Sequence, residues 1–477
     1  MPDRFDPTVS RRNLLLGGSA AGLLGIAGFA GGSQPSTPVV RPPRGGRSGR
    51  AKNIIMLVSD GMSMGTLTLG DYFLREQGSG SGSGSAWLKL LNDPAVRTGL
   101  CSTGSANGPV TDSAASATAW SVGSKANNGA IGVLPDGSEP MPMLIRAKQA
   151  GKAVGVVTTT RVTHATPAAF YANTPDRNRE DIIAAQMFER ELDVVLGGGA
   201  RYGRPHFDDA RAKGYEVVED RDALLAADPS KRIIGLFKNG HMPYVLDREA
   251  KHPSLPEMSR AALDRLDRGP NGFVLQIEAG RVDHAAHAND AASLVADQIE
   301  FERTIELVRR WAAGRDDTLV IVTTDHGNAN PGCAFYGQSG IDKLATLASV
   351  RHSFGFFFDE LERQAEADGM TPEIIGAVAR QSFAVELSEA EIDVLKRRLV
   401  GNERVDPFGP ANNELAVLGS VLANHVGVSF MSVHHTSDHV LASAFGPGSE
   451  ALPGFHDNTE LYGVMVEALG LSVSRGR

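Results

Sequence analysis

The stretch Asn53–Gly61, NIIMLVSDG, is apolar without interruption from Ile54 to Val58, and a serine, an acid and a glycine close it. A strand with one wet face alternates apolar and polar residues, so an unbroken run of this length reads as a strand buried on both faces. Similar runs recur as AVGVVTTT (Ala153–Thr160), LDVVLGGG (Leu192–Gly199), GFVLQIEAG (Gly272–Gly280) and TLVIVTTDHG (Thr318–Gly327). Helical-looking segments lie between several of them. The pattern predicts an α/β fold, a large mostly parallel central sheet flanked by helices on both faces.

Outward from that core, residues 51–340 and 425–477 read as the α/β body, and residues 341–424 as a mainly helical insertion, a cap or crown without strands of the buried type. GSGSGSGS (Gly78–Ser85) reads as a flexible surface loop. Residues 31–50 are rich in Pro, Gly, Ser and Arg and read as a disordered linker. Residues 1–30 place Arg11 and Arg12 before a Gly-broken apolar run, the pattern of a twin-arginine export signal with cleavage near Ala30. That run is short for a membrane span, so no stable anchor is expected after processing, and the destination is the periplasm or the medium. Such export carries proteins already folded, so Cys101 and Cys333 are expected to stay free. A net charge of −9 argues against a nucleic-acid surface.

Three buried runs end in acids: Asp60, Glu278 and Asp325. Ligands bind beyond the carboxyl ends of parallel strands, and three carboxylates converging there repel one another unless cations hold them. Imidazoles accompany them. His326 follows Asp325 directly, and VDHAAHAND sets Asp283 and His287 four apart, on one helical face, with His284 between. SVHHTSDHV offers His434, His435 and His439, whereas His206, His241, His252, His352, His425 and His456 read as ordinary surface or core histidines. Mixed nitrogen and oxygen donors suit zinc, and all-oxygen sets suit magnesium.

The run VTDSAASATAWSVG (Val110–Gly123) is built almost wholly of small residues, although a core helix normally carries larger ones. Two readings stand side by side. Thr111, Asp112 or Ser113 caps a helix, or Ser113 lies at a helix start where backbone N–H groups favour an anion. An arginine-bearing loop, NTPDRNRED (Asn173–Asp181), adds a planar fork suited to phosphate oxygens. Together these parts describe a phosphoryl-transfer centre, in which paired cations clamp the attacking and leaving oxygens.

VTDSAASATAWS, followed by GSKANNGAIGV, resembles the nucleophile segment of the alkaline phosphatase family. SDGM, THATPAAFYANTPDRN, IEAGRVDHAAH, TTDHGN and HHTSDHV carry the resemblance from Asn53 to Gly446, weakest in the helical insertion. It implies hydrolysis of phosphate monoesters through a phosphoserine on Ser113, with two zinc ions and one magnesium ion. On this resemblance Asp60, Asp325 and His326 hold the zinc at the nucleophile. Asp283, His287 and His435 hold the zinc at the leaving group, and Asp60, Thr166 and Glu278 hold magnesium. Arg177 is the phosphate clamp and Asp112 orients it. His435 is preferred over His434 because it stands five residues before Val440, the family's spacing.

His164 and His284, which stand beside the third ion, resemble the animal-type pattern, and His164 leaves the identity of that ion open. Monomer and homodimer both remain open. A diesterase of the same superfamily and a non-catalytic exported metal- or phosphate-binding protein are the rival readings. A sulfatase is disfavoured, because the Ser113 segment lacks the Cys/Ser-x-Pro-x-Arg motif.

Overall fold

The computed structural model describes residues 50–77 and 84–471. Residues 1–30, expected to be an export signal, residues 31–49 of the expected linker and residues 78–83 of the Gly/Ser run lie outside the described residues. The strands are β1 (Asn53–Ser59), β2 (Arg97–Ser102), β3 (Ala153–Arg161), β4 (Val194–Gly198), β5 (Glu216–Val218), β6 (Ile233–Leu236) and β7 (Phe273–Ala279). They continue as β8 (Thr318–Thr323), β9 (Gly327–Asn328), β10 (Gly332–Cys333), β11 (Val428–Ser429), β12 (His435–Thr436), β13 (Val440–Phe445) and β14 (Gly454–Asp457).

Ten of these form one sheet in the order β14-β2-β13-β8-β1-β7-β3-β4-β6-β5. All pairings are parallel except those of β13, which runs antiparallel to both β2 and β8. The expected mostly parallel sheet is present. Its outlying strands β2, β5, β6 and β14 are additions to the runs read from sequence, because they are short or, in β2, alternate between exposed and buried positions.

Alternation within β1 explains its unbroken apolar character. Ile54, Met56 and Val58 join the apolar cluster on one face of the sheet, and Ile55 and Leu57 join the cluster on the other. Each such side chain contributes about 1.5–3 kcal/mol when removed from water, so polar substitution is costly on either face.

The small-residue run forms the helix Ser113–Val122, and every one of its residues is buried. Alanine and serine there allow close approach of the helix Ala165–Ala169 on one side and Glu460–Ala468 on another. Asp112 is its N-cap, accepting from the Ala115 amide at 2.9 Å, so Ser113 takes the first helical position. Both readings of that stretch hold together: the aspartate caps, and the serine stands at the helix mouth.

Between β10 and β11 the chain is helical, with α-helices at Gly337–Ala348, Phe354–Asp368, Pro372–Phe383, Glu389–Leu399 and Glu414–Val426. They enclose an apolar cluster of their own, with Phe357, Leu361, Val378, Phe383, Leu395 and Leu418 at its centre. β10 and β11 pair antiparallel, Gly332 opposite Ser429 and Cys333 opposite Val428, so the two ends of the insertion are clasped together. Ser85, the last residue of the Gly/Ser run, departs from the surface loop expected of it: it is buried, and its hydroxyl donates to Glu302 at 2.9 Å. Cys101 and Cys333 are both free.

Candidate metal centre and nucleophile

Three adjacent strands, β8, β1 and β7, deliver the acids to one edge. Asp60 follows β1 directly, Glu278 is the penultimate residue of β7, and Asp325 lies two residues past β8. All three are fully buried. Donor atoms of Asp60, Asp325 and His326 lie within 4.8 Å of one another, as do those of Asp60, His164 and Glu278. Asp60 is common to both groups. The carboxylate oxygens Asp60 Oδ1, Glu278 Oε1 and Asp325 Oδ2 are buried without a hydrogen-bond donor. An unsatisfied buried oxygen of this kind costs about 1–3 kcal/mol or more when charged, so the edge is built for cations.

A further seat lies beside it. His287 Nδ1 is 2.7 Å from the Val433 carbonyl, and His435 Nδ1 is 2.8 Å from the Thr111 carbonyl. A carbonyl only accepts, so each Nδ1 carries the proton and each Nε2 presents a lone pair. Those two Nε2 atoms face each other at 2.9 Å, with Asp283 oxygens 3.5 Å from His287 and 3.4 Å from His435. Two lone pairs and a carboxylate at that spacing fit a cation such as zinc. His434, by contrast, is exposed and points elsewhere, so His435 is the histidine brought to the seat. The His435 ring stacks on that of His326 at 3.6 Å, which joins the two seats.

Ser113 Oγ lies 3.2 Å from His326 Nε2, and the helix behind it is docked by Ser116 Oγ donating to the Asp325 carbonyl at 2.9 Å. Arg177 is held by Asp112, Nη1 to Oδ2 at 2.9 Å, and Asp112 is itself fixed by the Ala115 and Gly129 amides. The second fork nitrogen of Arg177 reaches His164 Nε2 at 3.1 Å. Burial, and then the Arg177 charge, hold His164 well below the ordinary imidazole range, so it stays neutral. Thr166 Oγ1 approaches Asp60 at 3.5 Å, while Thr158 and Thr160 donate to Glu278.

His164 stands closer than the neighbouring position expected of it, since it shares a donor group with Asp60 and Glu278. His241 departs further from its reading as an ordinary histidine. Its ring sits edge-on to His284 at 4.4 Å and to His164 at 5.3 Å, and it accepts from the Arg161 amide. It comes from the loop after β6, and nothing in its local sequence signals that destination. Asn328 is a further site residue that its local sequence does not signal. Its amide donates to Asp283 at 2.7 Å and so orients that carboxylate.

Gly61 makes the packing possible. It has a φ of 65°, its amide donates to Asp325 Oδ1 at 2.9 Å, and a Cβ there would lie 2.4 Å from Asp283 Oδ1. Gly61→Ala is therefore expected to displace Asp283 and strain the turn, lowering kcat/KM about 10²-fold, the cost of a shift near 1 Å in a reacting array. Steady-state assays with metal titration check it, and wild-type activity would remove the steric argument.

The electrostatics carry a pH consequence. Burial first, then the Asp325 charge, raises Glu278 from 4.5 to about 7, against donors that lower it. A carboxyl raised in the folded state binds more protons there than in the unfolded chain, so its contribution to stability falls as pH rises from about 4.5 to about 7. Metal-free protein is expected to melt several degrees lower at pH 8 than at pH 5, and metal-loaded protein to lose that difference. Thermal melts at the two pH values, with and without chelator, decide it.

The alkaline phosphatase family model matches residues 51–471. Alkaline phosphatase 3 of Bacillus subtilis is 29% identical over 448 residues, covering 90% of this chain and 91% of its own length. An alkaline phosphatase of Gadus morhua is 34% identical over 335 residues, covering 58% of this chain and 69% of its own. The crystal structure of Thermus thermophilus alkaline phosphatase superposes with a TM-score of 0.82 at 33% identity, covering 89% of this chain and 92% of that one. Sheet, carboxylate edge and serine-bearing helix thus sit in a match that runs through almost the whole described body, and the chain belongs to the alkaline phosphatase family of metal-dependent phosphomonoesterases.

Proposed function

We propose that this protein is exported and hydrolyses phosphate monoesters through a phosphoserine at Ser113, with two zinc ions and one magnesium ion as cofactors. The observation that carries the reading is the Ser113 hydroxyl, buried at a helix mouth and 3.2 Å from His326 inside a ring of carboxylates. Asp60, Asp325 and His326 would hold one zinc, Asp283, His287 and His435 the other, and Asp60, Thr166 and Glu278 the magnesium. Bound cations would supply the charge that activates an oxygen nucleophile and neutralises the transferring phosphoryl group.

Ser113 Oγ gives up its proton and attacks phosphorus as the bond to the alcohol breaks, and the departing alkoxide takes a proton from solvent, so one proton is lost and one gained. Water then cleaves the phosphoserine and releases inorganic phosphate. Arg177 receives two equatorial oxygens on its planar fork, and Asp112 keeps the fork from turning. The amides at the start of the Ser113–Val122 helix face the same negative charge. Acid quenching during turnover, followed by mapping of the phosphorylated peptide, tests the intermediate. Phosphate on the Ser113 peptide supports it, and its absence under multiple turnover conditions counts against it. Elemental analysis of the active protein tests the ions.

Arg11 and Arg12 ahead of the apolar run support export by the twin-arginine route to the periplasm or medium. Cell fractionation of an Arg11→Lys/Arg12→Lys variant tests this, with retention of activity in the cytoplasm expected. No helix among the described residues is long and apolar enough to cross a membrane.

A further inference from the structure

A cavity of about 410 Å³ lies where the helical insertion meets the loop that carries His435. Arg398, Asn402, Arg404 and Asn412 line it from the insertion, and Val433 and His434 from the loop. None of its described lining residues is acidic, in a chain whose net charge is −9. Two guanidinium groups facing one cavity without a carboxylate among them leave positive charge for a ligand.

The insertion holds this wall in a fixed shape. Asn412 Oδ1 accepts from the Val405 and Asp406 amides at 2.7 and 3.0 Å, and its Nδ2 donates to the Asp406 and Phe408 carbonyls at 2.7 and 3.0 Å. Arg404 is tied to the Asp406 and Pro407 carbonyls at 3.1 and 2.5 Å. Arg398 is steadied by Asn402 Oδ1 at 2.7 Å, while its Nε is buried without a partner.

The opposite wall belongs to the metal seat. The Val433 carbonyl fixes His287, and His434 adjoins His435. In-line displacement sends the alcohol away from Ser113. On the proposed assignment that direction is toward the seat of Asp283, His287 and His435, where His287 is bonded to the carbonyl of Val433, a residue that lines this cavity. The cavity is larger than a single phosphate requires and is of the size that takes a small organic ligand.

We propose that the cavity is a second anion subsite, taking a phosphate borne by the leaving group, so that this enzyme prefers bisphosphorylated substrates. The inference rests on the proposed phosphomonoesterase mechanism. Arg398 and Arg404 are specificity determinants that touch the distal phosphate.

The test compares kcat/KM of the metal-loaded protein for fructose 1,6-bisphosphate, fructose 6-phosphate and 4-nitrophenyl phosphate. The bisphosphate is expected to exceed fructose 6-phosphate by about tenfold, the scale of a charge-assisted hydrogen bond. Arg398→Gln is expected to bring that ratio close to one while 4-nitrophenyl phosphate, which has no second anion, stays within about twofold. Asn402→Asp is a second variant that keeps the shape of the side chain and its contact with Arg398. Asparagine 402 has a φ of 51°, a conformation aspartate also tolerates, so the change pairs Arg398 with a carboxylate and halves the positive charge of the cavity without refolding it. It should lower the ratio in the same way.

A wild-type ratio near one overturns the subsite, and so does a ratio that survives both substitutions or an equal loss on all three substrates. No turnover of 4-nitrophenyl phosphate by the wild type would instead overturn the monoesterase mechanism, and the subsite with it.

Discussion

Ser113→Ala is expected to lower kcat on simple phosphate monoesters by about 10³-fold or more, on the scale seen when an enzyme loses its nucleophile. The helix around it is rich in alanine and wholly buried, so another alanine fits without a cavity larger than one hydroxyl. Asp112 still caps the helix, since its contact runs to the Ala115 amide and not to the serine. The carboxylates and imidazoles keep their positions, so bound metal and melting temperature should stay near wild-type values, within about 1 kcal/mol of stability, the scale of one buried hydrogen bond. Substrate should still bind through Arg177. The loss therefore falls on kcat, and acid-quenched protein should carry no phosphate. Near-normal turnover in the alanine variant would mean that water attacks the ester directly.

Asp60→Asn is expected to have the second largest effect, about 10²-fold or more in kcat/KM, because its carboxylate is shared by two donor groups. Metal content should fall in the purified variant. Stability should move in opposite directions with and without metal. Burial first, then Asp325, Asp283 and Glu278, hold the Asp60 carboxyl well above its ordinary range. A group raised in this way favours the folded state only while protonated, and ionisation at neutral and alkaline pH weighs against folding. The asparagine carries no charge. Metal-free Asp60→Asn should therefore melt above metal-free wild type at pH 8, and the order should reverse once zinc and magnesium are present. A metal-free variant that melts below wild type would show that the carboxylate is structural in its own right.

The parts of the site legible in the sequence are those whose chemistry is bound to local pattern. Asp60 and Asp325 follow apolar runs, Glu278 closes one, and a strand buried on both faces brings its terminal acid to the sheet edge by its geometry alone. Asp283 and His287 are four apart on one helix, so their adjacency is written in the spacing. His241 and Asn328 were not legible as site residues. His241 reaches the His164 and His284 rings from the loop after β6, and Asn328 on β9 reaches Asp283 on a helix 45 residues earlier, so both depend on tertiary placement. The antiparallel setting of β13 was hidden too, because VLASAF is apolar in either direction. The basic cavity joins residues 398–413 to residues 433–434, and no periodicity links two such distant stretches.

The clasp of β10 with β11 has a consequence for how this architecture can vary. With Gly332 beside Ser429, the sheet experiences the whole helical insertion as it would the tip of a hairpin. Lengthening a loop whose ends are already fixed adds conformational cost only slowly, about 0.6 kcal/mol for each doubling. Helices that pack only within the insertion can thus be gained, lost or exchanged beyond the clasp while the strands that present Asp60, Glu278 and Asp325 keep their register. What ties the insertion to the body beyond the clasp is local: Leu347 and Val426 share an apolar cluster with Leu69 and Val295, and the Phe354 amide donates to Asp290 at 2.8 Å, so the helices remote from those contacts are the part free to diverge.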